Sequence, residues 1–536
     1  MSSGLATRLP ILPDHAPAFP LPEELGTEET SSAPAHVLRT SSYTIYVDLP
    51  GNSQEMLLVH GYTGAYDKVS RRVATYVRSL AARRPPKPLY GDWSPEPKIE
   101  GEVPTPSDQT LDVLKRRGYL TEMSFAEEEN FFEKLVGTFH QRSTTWQPSY
   151  MVMPTYNCNL RCSYCFQDHM RTDPRYSHLL RMMDPAVVDR IFNAMPEIEA
   201  LHGHTGDEQR HRSIGFFGGE PLLEACRPIV GYIIDKALAI GTASFWAVSN
   251  GTDLEAYEEL LSPERIRQIQ ITIDGPPEEH DKRRIYADGS GSFKKIADNI
   301  SMALDHGVAI NVRINVDRTN IGHLPRMVEG FLARKWDQRP NFSVYASPIR
   351  AQNEKTDSKS TYNTWELDQA LTALCEQHPH LEIVARPNNG IQAQARRIFS
   401  NPEKAMPDFR ESFCSAHTGL YIFDAFADIY ACWDRTGDPT VRIGQVEETG
   451  NVTLNHPVNA LWKGRTVASN PVCRRCSYAL YCGGGCAVLA FGKTGDYYTS
   501  YCDGFASRFR AGVAEAYREH ISGAEFVEKA GRLCTE

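Results

Sequence analysis

The 536-residue chain has no run of about 18 uncharged apolar residues, and even the apolar stretch 229–248 carries Asp235 and Lys236, so a membrane-spanning helix is excluded. A basic block is equally absent. Lys and Arg number 57 against 67 Asp and Glu, a formal net charge of −10, which removes the electrostatic footprint expected of a nucleic-acid binder. The Pro-rich first 26 residues lack the apolar core of a secretory signal. The expectation is a cytoplasmic protein without membrane or nucleic-acid partners. Thirteen cysteines in a large chain of that kind favour metal or redox chemistry over disulfides, and oxygen sensitivity should follow.

The informative presence is a spacing. Cys158, Cys162 and Cys165 stand in the stretch Cys-Asn-Leu-Arg-Cys-Ser-Tyr-Cys. At about 2.4% cysteine, a Cx3Cx2C arises by accident in under about 1% of such chains. A fully ligated iron–sulfur cube takes four thiolates and structural zinc takes four ligands, so three thiolates keep one coordination position open. An open position is a reactive one. The pattern CxxxCxΦC, with Tyr164 as its aromatic, resembles the radical S-adenosylmethionine (radical SAM) enzymes. The resemblance implies that the amino and carboxylate groups of the methionine moiety chelate the open iron of a [4Fe–4S] cluster. An electron from the cluster then cleaves the sulfonium, and the resulting 5′-deoxyadenosyl radical removes a hydrogen atom from substrate. A reductant such as flavodoxin or ferredoxin is implied as a partner.

Composition and periodicity divide the chain. Residues 1–41, rich in Pro, Ser, Thr and Ala, read as a flexible leader. Residues 42–140 read as two short strands (43–49 and 55–60), a helix over 66–80, a polar Pro-rich insertion and a second helix ending at 111–120. This winged-helix-like unit resembles the peptide-recognition domains of maturases of ribosomally made peptides, which implies a precursor peptide whose leader adds a strand to an exposed sheet edge. The alternative is a domain that only packs on the catalytic core. Over 149–350, apolar runs at 150–155, 214–217, 244–248, 268–273, 309–316 and 342–346 alternate with amphipathic stretches. That alternation predicts an α/β fold of parallel βα units, a partial (β/α)6 TIM-like barrel with its chemistry on the loops after the strands. Residues 351–410 read as a bridge, 411–510 as a second chemical module, and 511–536 as a C-terminal helix.

Polar motifs follow the predicted strands. Gly218 and Gly219 permit close backbone approach to a ligand, with Glu220 supplying a carboxylate for a cationic group; the resemblance implies that this GGEP element binds the amino group of S-adenosylmethionine. Ser249 and Asn250 can hydrogen-bond a ribose or carboxylate. Asp274 ends the fourth strand and is expected to position substrate or cofactor, with His280 and Arg284 pinning a loop. Arg313 and Asn315 alternate with apolar neighbours and so share one face, where Arg313 could meet the methionine carboxylate or form a structural ion pair. His202, His204 and His211 invite a metal reading, but Gly, Asp and Arg neighbours favour a solvated, poorly fixed loop.

Residues 411–510 hold seven of the thirteen cysteines, more than one cube can use. Cys473, Cys476, Cys482, Cys486 and Cys502, preceded by Cys414 and Cys432, resemble the SPASM twin-cluster extension of radical SAM enzymes that modify peptides. The resemblance implies that Cys473, Cys476, Cys482 and Cys502 hold one auxiliary [4Fe–4S] cluster and Cys414, Cys432 and Cys486 the other, making three clusters with the first. Gly483, Gly484 and Gly485 supply tight backbone between ligands. Ala427 stands where the family usually has Gly, and no eighth cysteine lies near Cys414, which leaves an open iron or Cys375 as the missing ligand. A zinc ribbon is the alternative for the module. Asp434 is a candidate proton acceptor, although anaerobic sulfatase maturases place the equivalent Asp directly after the cysteine, where this chain has Trp433. Cys226 and Cys534 are expected to be ordinary thiols.

The combined expectation is a radical SAM oxidoreductase that installs a thioether or carbon–carbon crosslink in a precursor peptide. A formylglycine-forming maturase and a non-enzymatic iron–sulfur electron carrier are the alternatives.

Overall fold

The structure, a computed structural model, describes residues 37–81, 103–205, 211–353, 355–401, 405 and 407–522. Most of the expected leader, most of the Pro-rich insertion, the end of the C-terminal helix and Cys534 lie outside these residues. The chain forms two compact units: one draws on residues up to Arg142, Asn388–Cys414 and those from Arg465, the other on Ser143–Pro387 and Ser415–Gly464.

In the first unit, Arg39–Thr40 (β1) pairs with Leu120–Thr121 (β5), and Thr44–Leu49 (β2), Asn52–His60 (β3) and Tyr66–Ser70 (β4) form an antiparallel sheet in that order. The helix expected from residue 66 begins only at Arg71. Tyr66 and Val69 are claimed first by pairing with Val59 and Met56, and Ser70 then caps the helix by accepting from the Val73 N–H. β3 buries Leu57 and Val59 on one face and Met56 and Leu58 on the other. The first pair packs with Phe509 and Val513 of helix Phe505–Ser522, and the second with Ala74, Val77 and Leu114 of helices Arg71–Ser79 and Asp108–Arg116.

The second unit is built on one sheet. Ser149–Val152 (β6), His211–Phe216 (β7), Thr242–Ser249 (β8), Ile266–Thr272 (β9), Ala309–Val316 (β10) and Phe342–Pro348 (β11) are parallel neighbours in chain order. These are the six predicted strands. Val384–Ala385 (β12) extends one edge, and Leu420–Phe423 (β13) joins β6 in parallel at the other. Asp428–Tyr430 (β14), Arg442–Val446 (β15) and Val452–Leu454 (β16) then continue antiparallel. Helices Pro185–Leu201, Arg227–Ile240, Phe293–Asp305 and Leu324–Ala333 cross between strands and bury an apolar face each. Because the strands are parallel, the loops after β6 to β11 emerge at one edge of the sheet. Among the described residues no helix is long and apolar enough to cross a membrane.

Candidate active site

The loop after β6 carries Cys158, Cys162 and Cys165 near one another. Burial pushes the Cys162 thiol up to about 12, with the charges of Cys158 and Cys165 adding to the shift and Arg284 opposing it. The Cys158 thiol is raised by burial and then by Glu220, with Arg171 opposing. Two guanidiniums face the sulfurs: Arg171 Nη2 donates to Cys165 Sγ at 3.1 Å, and buried Arg284 acts on Cys162. Donors aimed at sulfur are what thiolates need and neutral thiols do not. The donor set therefore fits a metal–sulfur cluster.

Three neighbouring loops hold this one. The GGEP turn after β7 hydrogen-bonds it through Gly219 N to Thr155 O at 3.1 Å and Glu220 N to Asn157 O at 2.8 Å. The glycines make room for this loop: a Cβ on Gly219 would lie 2.2 Å from the carbonyl oxygens of both Tyr156 and Asn157, and one on Gly218 would lie 2.4 Å from Thr155 O. The backbone approached closely is the cysteine loop itself. Glu220, 2% exposed, accepts from Ser249 Oγ (2.8 Å), Asn250 N (2.5 Å) and Leu222 N (2.9 Å). Burial raises its carboxyl to about 7. Asn250 reaches back through Nδ2 to Asn159 Oδ1 at 2.8 Å and to Cys158 Sγ at 3.7 Å.

Tyr164 is the hub of the opposite side. Its hydroxyl donates to Asp274 and accepts from Arg284 Nη1 at 2.8 Å and Asn315 Nδ2 at 3.2 Å. Asp274 is fully buried, and its other oxygen accepts from Asn315 N at 3.0 Å; burial raises its carboxyl. Its carboxylate thus acts through Tyr164. Arg313 and Asn315 do share a face, with Nε donating to Oδ1 at 2.9 Å and Nη2 reaching Ser347 Oγ at 3.2 Å. His280 accepts from Asp274 N at 3.3 Å and contacts Ser292 Oγ at 3.1 Å, the loop-pinning part expected of it.

Residues 152–329 match the sequence profile of the Radical SAM superfamily. The chain carries a radical SAM domain. A cysteine-type anaerobic sulfatase-maturating enzyme of Clostridium novyi (strain NT) is 23% identical over 397 residues, 68% of this chain and 96% of that relative. Native anSMEcpe with bound AdoMet superposes with a TM-score of 0.51 at 16% identity, covering 70% of this chain and 99% of that one. Streptococcus suis SuiB bound to precursor peptide SuiA gives 0.45 at 12% identity, covering 87% and 98%. The superfamily uses a [4Fe–4S] cluster and S-adenosylmethionine.

Three side chains of the radical SAM domain's unit escaped sequence reading because they fall in the segment taken as a featureless bridge. After β11, Asn353 Nδ2 donates to the carbonyls of Ser163 (3.1 Å) and Cys165 (3.0 Å), Lys355 Nζ meets Asp168 at 2.5 Å, and Gln352 Nε2 donates to Asp434 Oδ2 at 2.7 Å. Their one signal was position, directly after the sixth strand. Asp434 is thereby fixed, and burial raises its carboxyl. Trp433, 40% exposed, stands 6.0 Å from the Phe217 ring. Arg171 was also missed; nothing in its sequence context marks it.

The histidines are better fixed than expected. His202 is buried, with Nδ1 2.6 Å from Thr144 O and Nε2 2.9 Å from Tyr421 Oη, while His204 meets Thr145 O and His211 meets Ser244 Oγ. Among the described residues, no three of His, Cys, Asp and Glu converge as a single metal ion would require.

The C-terminal cysteines divide between the units. Cys432 follows β14 in the sheet unit, where Cys375 lies in helix Thr364–Gln377. The first unit contains the others. Cys473, Cys476, Cys482 and Cys502 act on one another electrostatically, and burial is the largest cause raising each, to about 12 for Cys476 and about 11 for Cys502. Gly483, Gly484 and Gly485 all take left-handed φ, at 73°, 85° and 75°, which three consecutive L-residues would resist. Ala427 also adopts φ 64°, so the turn keeps a glycine's geometry at an alanine's cost. Cys226 is buried among the described residues.

Proposed function

We propose that the chain is a radical SAM peptide maturase that oxidatively crosslinks side chains of a ribosomally made precursor. The observation that carries this reading is the N-terminal sheet β2–β3–β4, whose two edge strands suit addition of a leader peptide by main-chain hydrogen bonding. The sulfatase-maturating relative accounts for 68% of this chain, which leaves room for such an added function. The solved anSMEcpe bound to the Cp18Cys peptide, with a TM-score of 0.50, supports a peptide substrate.

Cys158, Cys162 and Cys165 would hold the cluster, and Glu220, Ser249, Asn250, Arg313 and Asn315 would bind S-adenosylmethionine. When bound, the pair supplies a carbon-centred radical able to take a hydrogen atom from a side chain. The protein's part is positional. Tyr164, locked by Asp274, Arg284 and Asn315, fixes the loop between the last two cysteines. Asn353 caps its carbonyls, and Arg171 donates to Cys165. Gln352 orients Asp434 to receive a proton from oxidised substrate. Cys473, Cys476, Cys482 and Cys502, with Cys414, Cys432 and Cys486, would hold two auxiliary clusters. A formylglycine-forming activity has the support of the Clostridium relative.

Anaerobic co-expression with a short peptide encoded beside the gene, followed by mass spectrometry, tests the reading. A peptide lighter by two hydrogens, inert to hydrazide and unmodified when Cys158, Cys162 and Cys165 are Ala or when residues 1–140 are deleted, is expected. A hydrazide-reactive aldehyde that survives the deletion would instead establish the formylglycine reaction.

A further inference from the structure

Arg465 is 4% exposed, yet its hydrogen bonds all end on backbone carbonyls: Nε on Tyr497 at 2.7 Å, Nη1 on Gly485 at 3.0 Å, and Nη2 on Thr499 at 3.0 Å and Gly484 at 3.5 Å. No carboxylate among the described residues pairs with it. Burial lowers its hold on its proton, and the groups that oppose this are sulfurs, those of Cys473, Cys486, Cys414 and Cys482. A buried guanidinium without an anion is costly, by several kcal/mol. The arrangement makes physical sense once anions occupy the sulfur positions.

Placement leads to the same conclusion. Gly484 and Gly485 lie between Cys482 and Cys486, and Tyr497 and Thr499 lie just ahead of Cys502. A Cβ on Gly484 would be 3.6 Å from Cys473 Sγ. The guanidinium therefore joins two cysteine-bearing loops, and sulfurs of both ligand sets act on its charge, Cys473 and Cys482 of one and Cys414 and Cys486 of the other.

We propose that Arg465 is the fixed positive charge that sets the reduction potentials of the auxiliary clusters. This rests on the reading that the C-terminal cysteines hold iron–sulfur clusters. Thiolate ligands outweigh the charge of a cube, so the ligated cluster is an anion, and one-electron reduction adds to that charge. A neighbouring cation favours the reduced form and raises the potential. After hydrogen-atom loss, the substrate radical completes its two-electron oxidation by giving one electron to a cluster and one proton to a base. Arg465 makes the cluster a better acceptor of that electron.

The test uses the full chain with Cys158, Cys162 and Cys165 replaced by Ala, so that auxiliary clusters alone remain, reconstituted anaerobically and titrated with dithionite under EPR. Arg465→Gln should move the one-electron equilibrium at least tenfold toward the oxidised form, about 59 mV, while Arg465→Lys stays near the parent. Retention of iron by the Lys variant with its loss from the Gln variant would make the charge a requirement for holding the clusters and overturn its assignment as the setting of their potential. Iron held by both with unchanged potential overturns the proposal, as does equal loss of iron from both, which would make Arg465 a structural clamp only. A parent protein that holds no iron would overturn the cluster reading itself.

Discussion

Replacing Gly219 with Ala tests how the cysteine loop is held. The added Cβ would lie 2.2 Å from two carbonyl oxygens, those of Tyr156 and Asn157. Reaching ordinary contact requires those atoms, one and two residues ahead of Cys158, to retreat by about 1 Å. Overpacking of this kind costs roughly 1–3 kcal/mol. The retreat also strains the bonds from Gly219 N to Thr155 O and Glu220 N to Asn157 O, each worth about 1 kcal/mol. A total of about 3 kcal/mol lowers the population of the competent loop roughly a hundredfold, and a 1 Å misplacement is itself enough to cost about that factor in rate. The assay is 5′-deoxyadenosine formation together with the change in the reduced cluster's EPR signal on adding S-adenosylmethionine. Gly330→Ala is the control, because its Cβ meets nothing within 4 Å inside helix Leu324–Ala333. Wild-type turnover and a wild-type EPR response in Gly219→Ala would refute the reasoning.

Other perturbations have equally definite outcomes. Asp424 is 1% exposed, and burial, followed by the Asp428 charge, raises its carboxyl to about 7. The folded state then binds more protons than the unfolded chain between about pH 4 and 7, so stability falls as pH rises through that window, by up to about 4 kcal/mol. Melting curves at pH 5 and 8 should show Asp424→Asn losing much of this slope; an unchanged slope would place its source elsewhere. Ala427→Gly relieves a left-handed alanine and should raise stability by about 0.5 kcal/mol after the entropy of glycine is counted, read as a small rise in melting temperature. Arg212→Met removes the guanidinium bonded at 2.7 Å to Glu199, which is 1% exposed. It should cost about 3–5 kcal/mol, and Glu199→Leu added to it should recover most of the loss in a double-mutant cycle.

Legibility followed the range of the forces involved. The six central strands were readable because burial writes a short apolar run into a segment, as in 150–153, or a strict apolar–polar alternation, as in Ala309–Val316. The helix start at Arg71 was misjudged because Tyr66–Ser70 has no strong local bias, and pairing with β3 decided it. The cysteine spacing, the GGEP turn and Asp274 were visible because each is a short motif after a strand. What they touch was not visible: the glycines make room for the cysteine loop, and Asp274 is engaged by Tyr164, 110 residues away.

The sequence by itself determined the chemistry available to this protein: three thiols at a spacing that would leave a cluster one open iron, a run of parallel strands to carry them, and a second set of cysteines downstream. Tertiary structure alone decided the electrostatics around those thiols. Arg171 beside Cys165, Asn353 over the loop carbonyls and Arg465 among the C-terminal sulfurs carry no local signature, and Arg284 meets Tyr164 across 120 residues of chain. A buried charge is placed by the field of whatever surrounds it after folding, and that field depends on neighbours in space rather than in sequence.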